Sequence, residues 1–160
     1  MKVLAIDPGY GRCGVAVIER RENLETLLYS DCIETSRDDV FAERLAVVAD
    51  ACARLIKKFK PNALAIEKLY FSTNQKTAMR VAEVRGALIA TATRCDVPVF
   101  EYSPSEIKSA VGGSGRADKR AVASMVRALL KITKHTQHND EYDAIAIGIT
   151  HLARARKLAP

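Results

Sequence analysis

VLAIDPGYGRCGVAVI, residues 3–18, sets two short apolar runs on either side of a polar, glycine-rich break. Val3 to Ile6 is too short for a stable helix and stops at Asp7-Pro8-Gly9, so it reads as a buried strand closed by a turn. Gly14 to Ile18 reads as a second strand and Glu25 to Ile33 as a third. The connections Asp7 to Arg12 and Arg20 to Asn23 are short enough for hairpins, which makes the three strands antiparallel.

Beyond residue 38 the period changes. Phe41, Leu45, Val48, Cys52, Leu55 and Phe59 recur at steps of three and four, the mark of an amphipathic helix over Asp39 to Lys60. Asp38 or Asp39 is placed to cap it, and Pro61 follows its basic end. Ala63 to Ile66 is a strand ending at Glu67. Thr73 to Arg94 reads as a long helix with Val81, Val84, Leu88 and Ala92 on one side, and Val97 to Tyr102 as a fifth strand. Ser103-Pro104-Ser105-Glu106 is a capping-box pattern opening a short helix, which Gly112-Gly113-Ser114-Gly115 breaks. Helices follow from about Asp118 to Leu130 and from Asp140 to Arg156. Strands reached through helical crossovers are parallel, so the order predicts one mixed α/β sheet with helices on both faces.

The 160 residues fit a single domain, 1–160, large enough to bury a core without staples. A net charge of +6 favours a polyanionic partner. Cys13, Cys32, Cys52 and Cys95 form no CxxC pair and read as small buried or half-buried thiols of a reducing cytosol. The start, MKVLAIDPG, is interrupted too soon by Asp7 and Pro8 for a signal peptide. The apolar run Ala144 to Ile149 is far short of a membrane span, so a cytoplasmic location is expected.

Four carboxylates stand at telling places. Asp7 follows strand one and Glu67 follows strand four; if those strands are neighbours, both acids lie at one rim. Asp140 and Asp143, three apart at the start of the last helix, share a face. Each has a plainer reading: a turn aspartate, a strand-end glutamate, acids favoured by a helix dipole. Together they point to a metal site, because clustered carboxylates are expensive unless a cation neutralises them. Hard oxygen donors select Mg²⁺ or Mn²⁺, and paired ions of that kind serve phosphoryl displacement.

AIDPGYGRCGVAVIE, AIEKLYFSTNQKTAMRVAEVRGALIA, PVFEYSPSEIKSAVGGSGRADKRAV and NDEYDAIAIGITH resemble, in order and spacing, segments of the RuvC family of Holliday-junction resolvases. The resemblance spans nearly the whole chain, 20–62 being its least diagnostic part. It implies a ribonuclease H-like fold with a five-stranded sheet and catalytic, metal-holding acids at Asp7, Glu67, Asp140 and Asp143. It implies two Mg²⁺ ions per site, with Mn²⁺ able to substitute. It also implies a junction-contacting aromatic at Tyr70 or Phe71 and phosphate-contacting lysines at Lys108 and Lys119. The implied working unit is a homodimer making paired symmetric nicks in a four-way junction, leaving 5′-phosphate and 3′-hydroxyl ends, beside a branch-migration motor of the RuvA and RuvB type. One segment departs: GYGRCGVAV looks somewhat like the related YqgF-type resolvase-like proteins, while the rest matches RuvC better. Glu141 adds a fifth acid and Lys68 follows Glu67, changes that would alter metal affinity.

Arg116 and Arg120 join Lys108 and Lys119 around the glycine-rich loop, either as a phosphate grip or as a solvated loop. His135 and His138 fit an exposed polar loop better than a ligand pair. On the helix over Thr73 to Arg94, Ala78, Ala82, Gly86, Ala90 and Thr93 form a small-residue strip suited to close helix contact. An actin-like ATPase would need a second lobe for which there is no room. A ribonuclease acting on RNA–DNA hybrids and a non-catalytic DNA-binding module are the other rivals, and the presence of all four acids argues against the last.

Overall fold

The computed structural model describes residues 1–22, 24–69, 75–115, 118–132 and 138–158. They form five strands and five helices: β1 (Lys2–Asp7), β2 (Arg12–Arg21), β3 (Leu24–Glu34), α1 (Phe41–Phe59), β4 (Ala63–Glu67), α2 (Gln75–Arg94), β5 (Val99–Tyr102), α3 (Pro104–Gly112), α4 (Lys119–Leu130) and α5 (Asn139–Leu158). The sheet order is β3-β2-β1-β4-β5. β1 pairs antiparallel with β2 and parallel with β4, and β4 pairs parallel with β5. The expected mixed sheet is therefore present, with strands one and four side by side.

Both faces of the central strands are covered, as continuous apolar runs require. Leu4, Ile6, Val15, Val17, Leu64 and Ile66 pack on α1 and α2 through Val48, Cys52, Leu55, Val84 and Leu88. The opposite face carries smaller residues, Val3, Ala5, Ala16 and Ala65 among them, against α3, α4 and α5. Small side chains there let α5 lie close. Gly148 completes the fit: a Cβ on it would stand 2.7 Å from Ile18 Cδ1 and 3.2 Å from Ala5 Cβ. α5 thus lies tightly across β1 and β2 with its first turn at the end of the sheet where β1 and β4 finish.

Several local expectations need correction. Neither Asp38 nor Asp39 caps α1; the N-cap is Val40, with no side-chain hydrogen bond. Asp7 and Glu67 are the last residues of their strands rather than the first beyond them. β2 and β3 are longer than their apolar runs, because pairing continues through Glu19↔Thr26 to Arg21↔Leu24 at a charged tip. β5 begins at Val99, two residues later than its apolar pattern. Cys13 and Cys52 are buried and Cys32 half-buried, but Cys95 is exposed. Ser103 does make the expected capping box with Glu106, and Asp118 caps α4 by accepting from the Ala121 N–H. Among the described residues no helix is long and apolar enough to cross a membrane.

Candidate active site

The parallel register of β1 and β4 aligns Ile6 with Ile66, so Asp7 and Glu67 stand next to each other at the strand ends. α5 brings Asp140 and Asp143 to the same rim. Its approach depends on Gly14, the residue opposite Asp7 on β2. A Cβ at Gly14 would lie 2.0 Å from the Asp140 carbonyl oxygen, so only glycine lets the first turn of α5 settle there.

A cleft of about 240 Å³ opens at this rim, lined by Asp7, Glu67, Asp143, Lys108, Lys119, Pro104, Ile107, Val122 and Ala146. Asp140 stands at its margin and leans toward Arg12, whose Nε lies 3.5 Å from Asp140 Oδ2. Burial, together with the charges of Glu67, Asp143 and Asp140, pushes the Asp7 carboxyl up to about 7. Glu67 is raised by burial and by Asp143, with Lys119 and Lys108 opposing. Lys119 Nζ lies 3.1 Å from Asp143 Oδ2, and that hydrogen bond holds its ammonium above the usual range. These are the signs of an overcrowded negative site in which lysines supply part of the missing positive charge. An all-oxygen donor set under that repulsion fits hard divalent cations, which Asp7, Glu67, Asp140 and Asp143 could hold between them.

The other expected residues divide. Lys108 and Lys119 join the acids in the cleft. Arg120 is exposed on the first turn of α4 and does not line it. Tyr70, Phe71, Arg116 and His135 lie outside the described residues. Glu141 is not a fifth acid of the cleft: it is buried and accepts a 2.9 Å hydrogen bond from the Ser30 hydroxyl, on the β3 side of α5. Lys68 lines a neighbouring hollow that also reaches Asp7 and Glu67. His138 is half-buried rather than exposed, with Nε2 2.8 Å from Glu34 Oε1. Of the small-residue strip, Ala78 is buried, whereas Ala82, Gly86, Ala90 and Thr93 face outward.

Three arginines were not singled out by the sequence. Arg12 reaches Asp140 from the first turn. Arg85 donates from Nε to the Glu67 carbonyl at 3.0 Å and from its terminal nitrogen to Glu101 at 2.7 Å, bracing the end of β4. Arg44 is nearly buried and donates to Thr35 Oγ1 at 2.9 Å and to the Tyr10 carbonyl at 3.0 Å, pinning the turn behind Asp7. A lone arginine on an amphipathic helix carries no sequence mark of such a task; Arg44 and Arg85 show themselves only once the helices are docked.

The family profile for crossover junction endodeoxyribonuclease RuvC matches residues 3–151. The chain belongs to the RuvC family. A RuvC of Brachyspira hyodysenteriae is 41% identical over 156 residues, covering 98% of this chain and 96% of that one. A RuvC of Petrotoga mobilis is 39% identical over 151 residues, covering 94% and 93%. Among solved structures, T. thermophilus RuvC in complex with a Holliday-junction substrate superposes with a TM-score of 0.92 at 32% identity, covering 98% of this chain and 96% of that one. The yeast mitochondrial resolvase Ydc2, at 13% identity and a TM-score of 0.67, shares the fold. The YqgF-like look of the first segment is thus a local departure within a RuvC-family chain with the ribonuclease H-like resolvase fold.

Proposed function

We propose that this chain is a metal-dependent endonuclease, acting as one nuclease domain over 1–160, that resolves Holliday junctions in recombination and repair. The observation that carries the reading is the meeting of Asp7, Glu67, Asp140 and Asp143 at one sheet rim with Lys108 and Lys119 beside them. The four acids hold the metal, which we take to be two Mg²⁺ ions with Mn²⁺ able to substitute. Bound divalent cations supply Lewis acidity at the scissile phosphate. Asp7, fixed by β1 and half-buried, anchors the site; Glu67 and Asp143 face it across the cleft; Asp140 closes it from the Arg12 side. Lys108 and Lys119 meet phosphate oxygens at the cleft, Arg120 adds positive charge from the first turn of α4, and Arg116 is assigned to DNA contact from its place in the sequence. Tyr70 or Phe71 is assigned to unpaired junction bases by family resemblance.

Two equivalent strands must be cut at symmetric positions, and each chain carries one acid cluster. A two-fold homodimer therefore suits the substrate and closes without forming filaments. The outward strip Ala82, Gly86, Ala90 and Thr93 on α2 is the assigned contact surface. The products carry 5′-phosphate and 3′-hydroxyl ends. The setting is the cytoplasm, with a branch-migration motor of the RuvA and RuvB type as partner. The deciding assay compares four-way junction, linear duplex and RNA–DNA hybrid with Mg²⁺ present. Paired nicks confined to the junction are expected; equal cutting of duplex or hybrid would overturn the assignment. Sedimentation should report a species near twice 17.5 kDa, and a chain that stays monomeric on junction DNA yet nicks both strands in one encounter would exclude the dimer.

A further inference from the structure

A thiol, an imidazole and a carboxylate meet just outside the acid cleft. Cys32 on β3 is paired with Gly14 on β2, the glycine over which the Asp140 backbone lies. With no side chain at residue 14 between them, Cys32 comes up beside the first turn of α5. His138 immediately precedes that helix, and its carbonyl accepts the Glu141 N–H at 3.3 Å. Cys32 Sγ, one ring nitrogen of His138 and one Asp140 carboxylate oxygen all lie within 4.8 Å of one another, and all three residues are half-buried. Glu34, two residues along β3 from Cys32 and so on the same face, holds His138 Nε2 at 2.8 Å. Metal-ligating histidines commonly have such a carboxylate on the ring.

This donor set differs in kind from the cleft. Sulfur and nitrogen donors turn preference away from Mg²⁺ and toward zinc, and thiolate plus carboxylate balance its two charges. Tetrahedral bonds of about 2.0–2.3 Å place donors roughly 3.3–3.8 Å apart, so side-chain rotations of about an ångström would close the site. Asp140 is common to both places. It stands at the margin of the cleft that Asp7, Glu67 and Asp143 line, already drawn toward Arg12.

We propose that Cys32, His138 and Asp140 form a second metal site, selective for Zn²⁺, whose occupation withdraws Asp140 from the nuclease centre and shuts cleavage down. On binding, the thiol proton leaves to solvent and the sulfur takes the metal. The inhibitory consequence rests on the nuclease reading; the site itself does not.

Co²⁺ serves as the spectroscopic probe. The whole chain titrated with Co²⁺ should develop a near-ultraviolet thiolate-to-metal band that stoichiometric Zn²⁺ removes. Cys32→Ser should lose the band and His138→Ala should weaken Co²⁺ binding at least about tenfold, whereas Cys95→Ser should keep both. In the second arm, junction cleavage with saturating Mg²⁺ is titrated with Zn²⁺. Cys32→Ser and His138→Ala should cut at the parent rate without Zn²⁺ and need at least about tenfold more of it for half-inhibition. A band that survives Cys32→Ser, or equal Zn²⁺ sensitivity in parent and both variants, would overturn the proposal. A parent chain inactive with Mg²⁺ alone would sink the nuclease reading and the inhibition with it, while the thiolate band would still decide the site.

Discussion

Replacing Asp7 with asparagine removes one negative charge from the crowded corner of the cleft and leaves its shape nearly unchanged. Burial and the charges of Glu67, Asp143 and Asp140 raise that carboxyl from 3.8 to about 7. The folded chain therefore holds the proton more tightly than the unfolded chain, and metal-free stability falls as pH rises between about 4 and 7. The whole rise corresponds to at most about 4 kcal/mol. Part of it is shared with neighbours that readjust, so we expect about 2 kcal/mol to be recovered by Asp7→Asn at pH 8. In a domain of this size that is roughly 4–8 °C in melting temperature. The same variant should lose junction cleavage by orders of magnitude while still binding junctions, because the basic surface is untouched. It should also respond less to Mg²⁺, which at tenfold above its dissociation constant adds about 1.4 kcal/mol to the parent chain. Thermal melts in chelator and in Mg²⁺ at pH 5 and pH 8, run beside a junction-cleavage assay, read all of these. An Asp7→Asn chain that melts below the parent in chelator at pH 8, or gains as much from Mg²⁺, would refute the account of an overcharged metal site.

Gly14→Ala should destabilise the chain by about 1–3 kcal/mol and depress cleavage, since the new methyl meets the Asp140 carbonyl oxygen at 2.0 Å; an unchanged melt would show that α5 has room to move. Lys119→Ala should lower cleavage more than junction affinity, and should flatten the salt dependence of binding by about one counterion-release unit; an unchanged slope would place Lys119 off the phosphate path. His151 is buried, hydrogen-bonded through Nδ1 to the Tyr102 hydroxyl at 2.8 Å, and lowered by burial and by Arg20. Its stabilisation is complete above the unfolded value near 6.5 and is lost as pH falls through the lower folded value. The stability gap between the parent and His151→Phe should accordingly narrow on acidification, and a gap independent of pH would mean that His151 titrates alike in the folded and unfolded chains, refuting its lowering by burial.

The residues that place the acids were legible because their signals are local. Two apolar runs ended by Asp7 and Glu67, and a helix opened by Asp140 and Asp143, can each be read without knowing what they touch. Connection rules allow strands one and four to be neighbours without requiring it; the parallel β1–β4 pairing makes them so and puts Asp7 and Glu67 at one rim. What the sequence did not show depends on contacts between distant segments. Glu141 looks like another site acid by spacing, yet one position on a helix turns the side chain by about 100°, and Ser30 takes it. Cys32 and His138 are 106 residues apart by their numbers, and only the β2–β3 register with the bare Gly14 brings them together. Arg44 and Arg85 each direct part of their bonding to a backbone carbonyl, which offers no complementary residue to look for.

The pairing of Lys119 with Asp143 bears on the charge balance of this cleft and on the metal proposed for it. Four carboxylates crowd one rim, and within the cleft the balancing charges come from Lys108 and Lys119. Lys119 is largely exposed and reaches Asp143 at 3.1 Å, so its charge is screened by water. Asp7, on the buried side, gains little from it: among the influences on that carboxyl, Lys119 is the weakest and the three acids outweigh it. The lysines oppose the rise at Asp7 and at Glu67 without offsetting it. A dication held by these acids would supply positive charge in the part of the site where solvent screening is least. Supplying that charge would also ease the repulsion that, after burial, raises Asp7, and would free Lys119 from Asp143, leaving a cationic side chain at the cleft entrance for the phosphate of the proposed substrate.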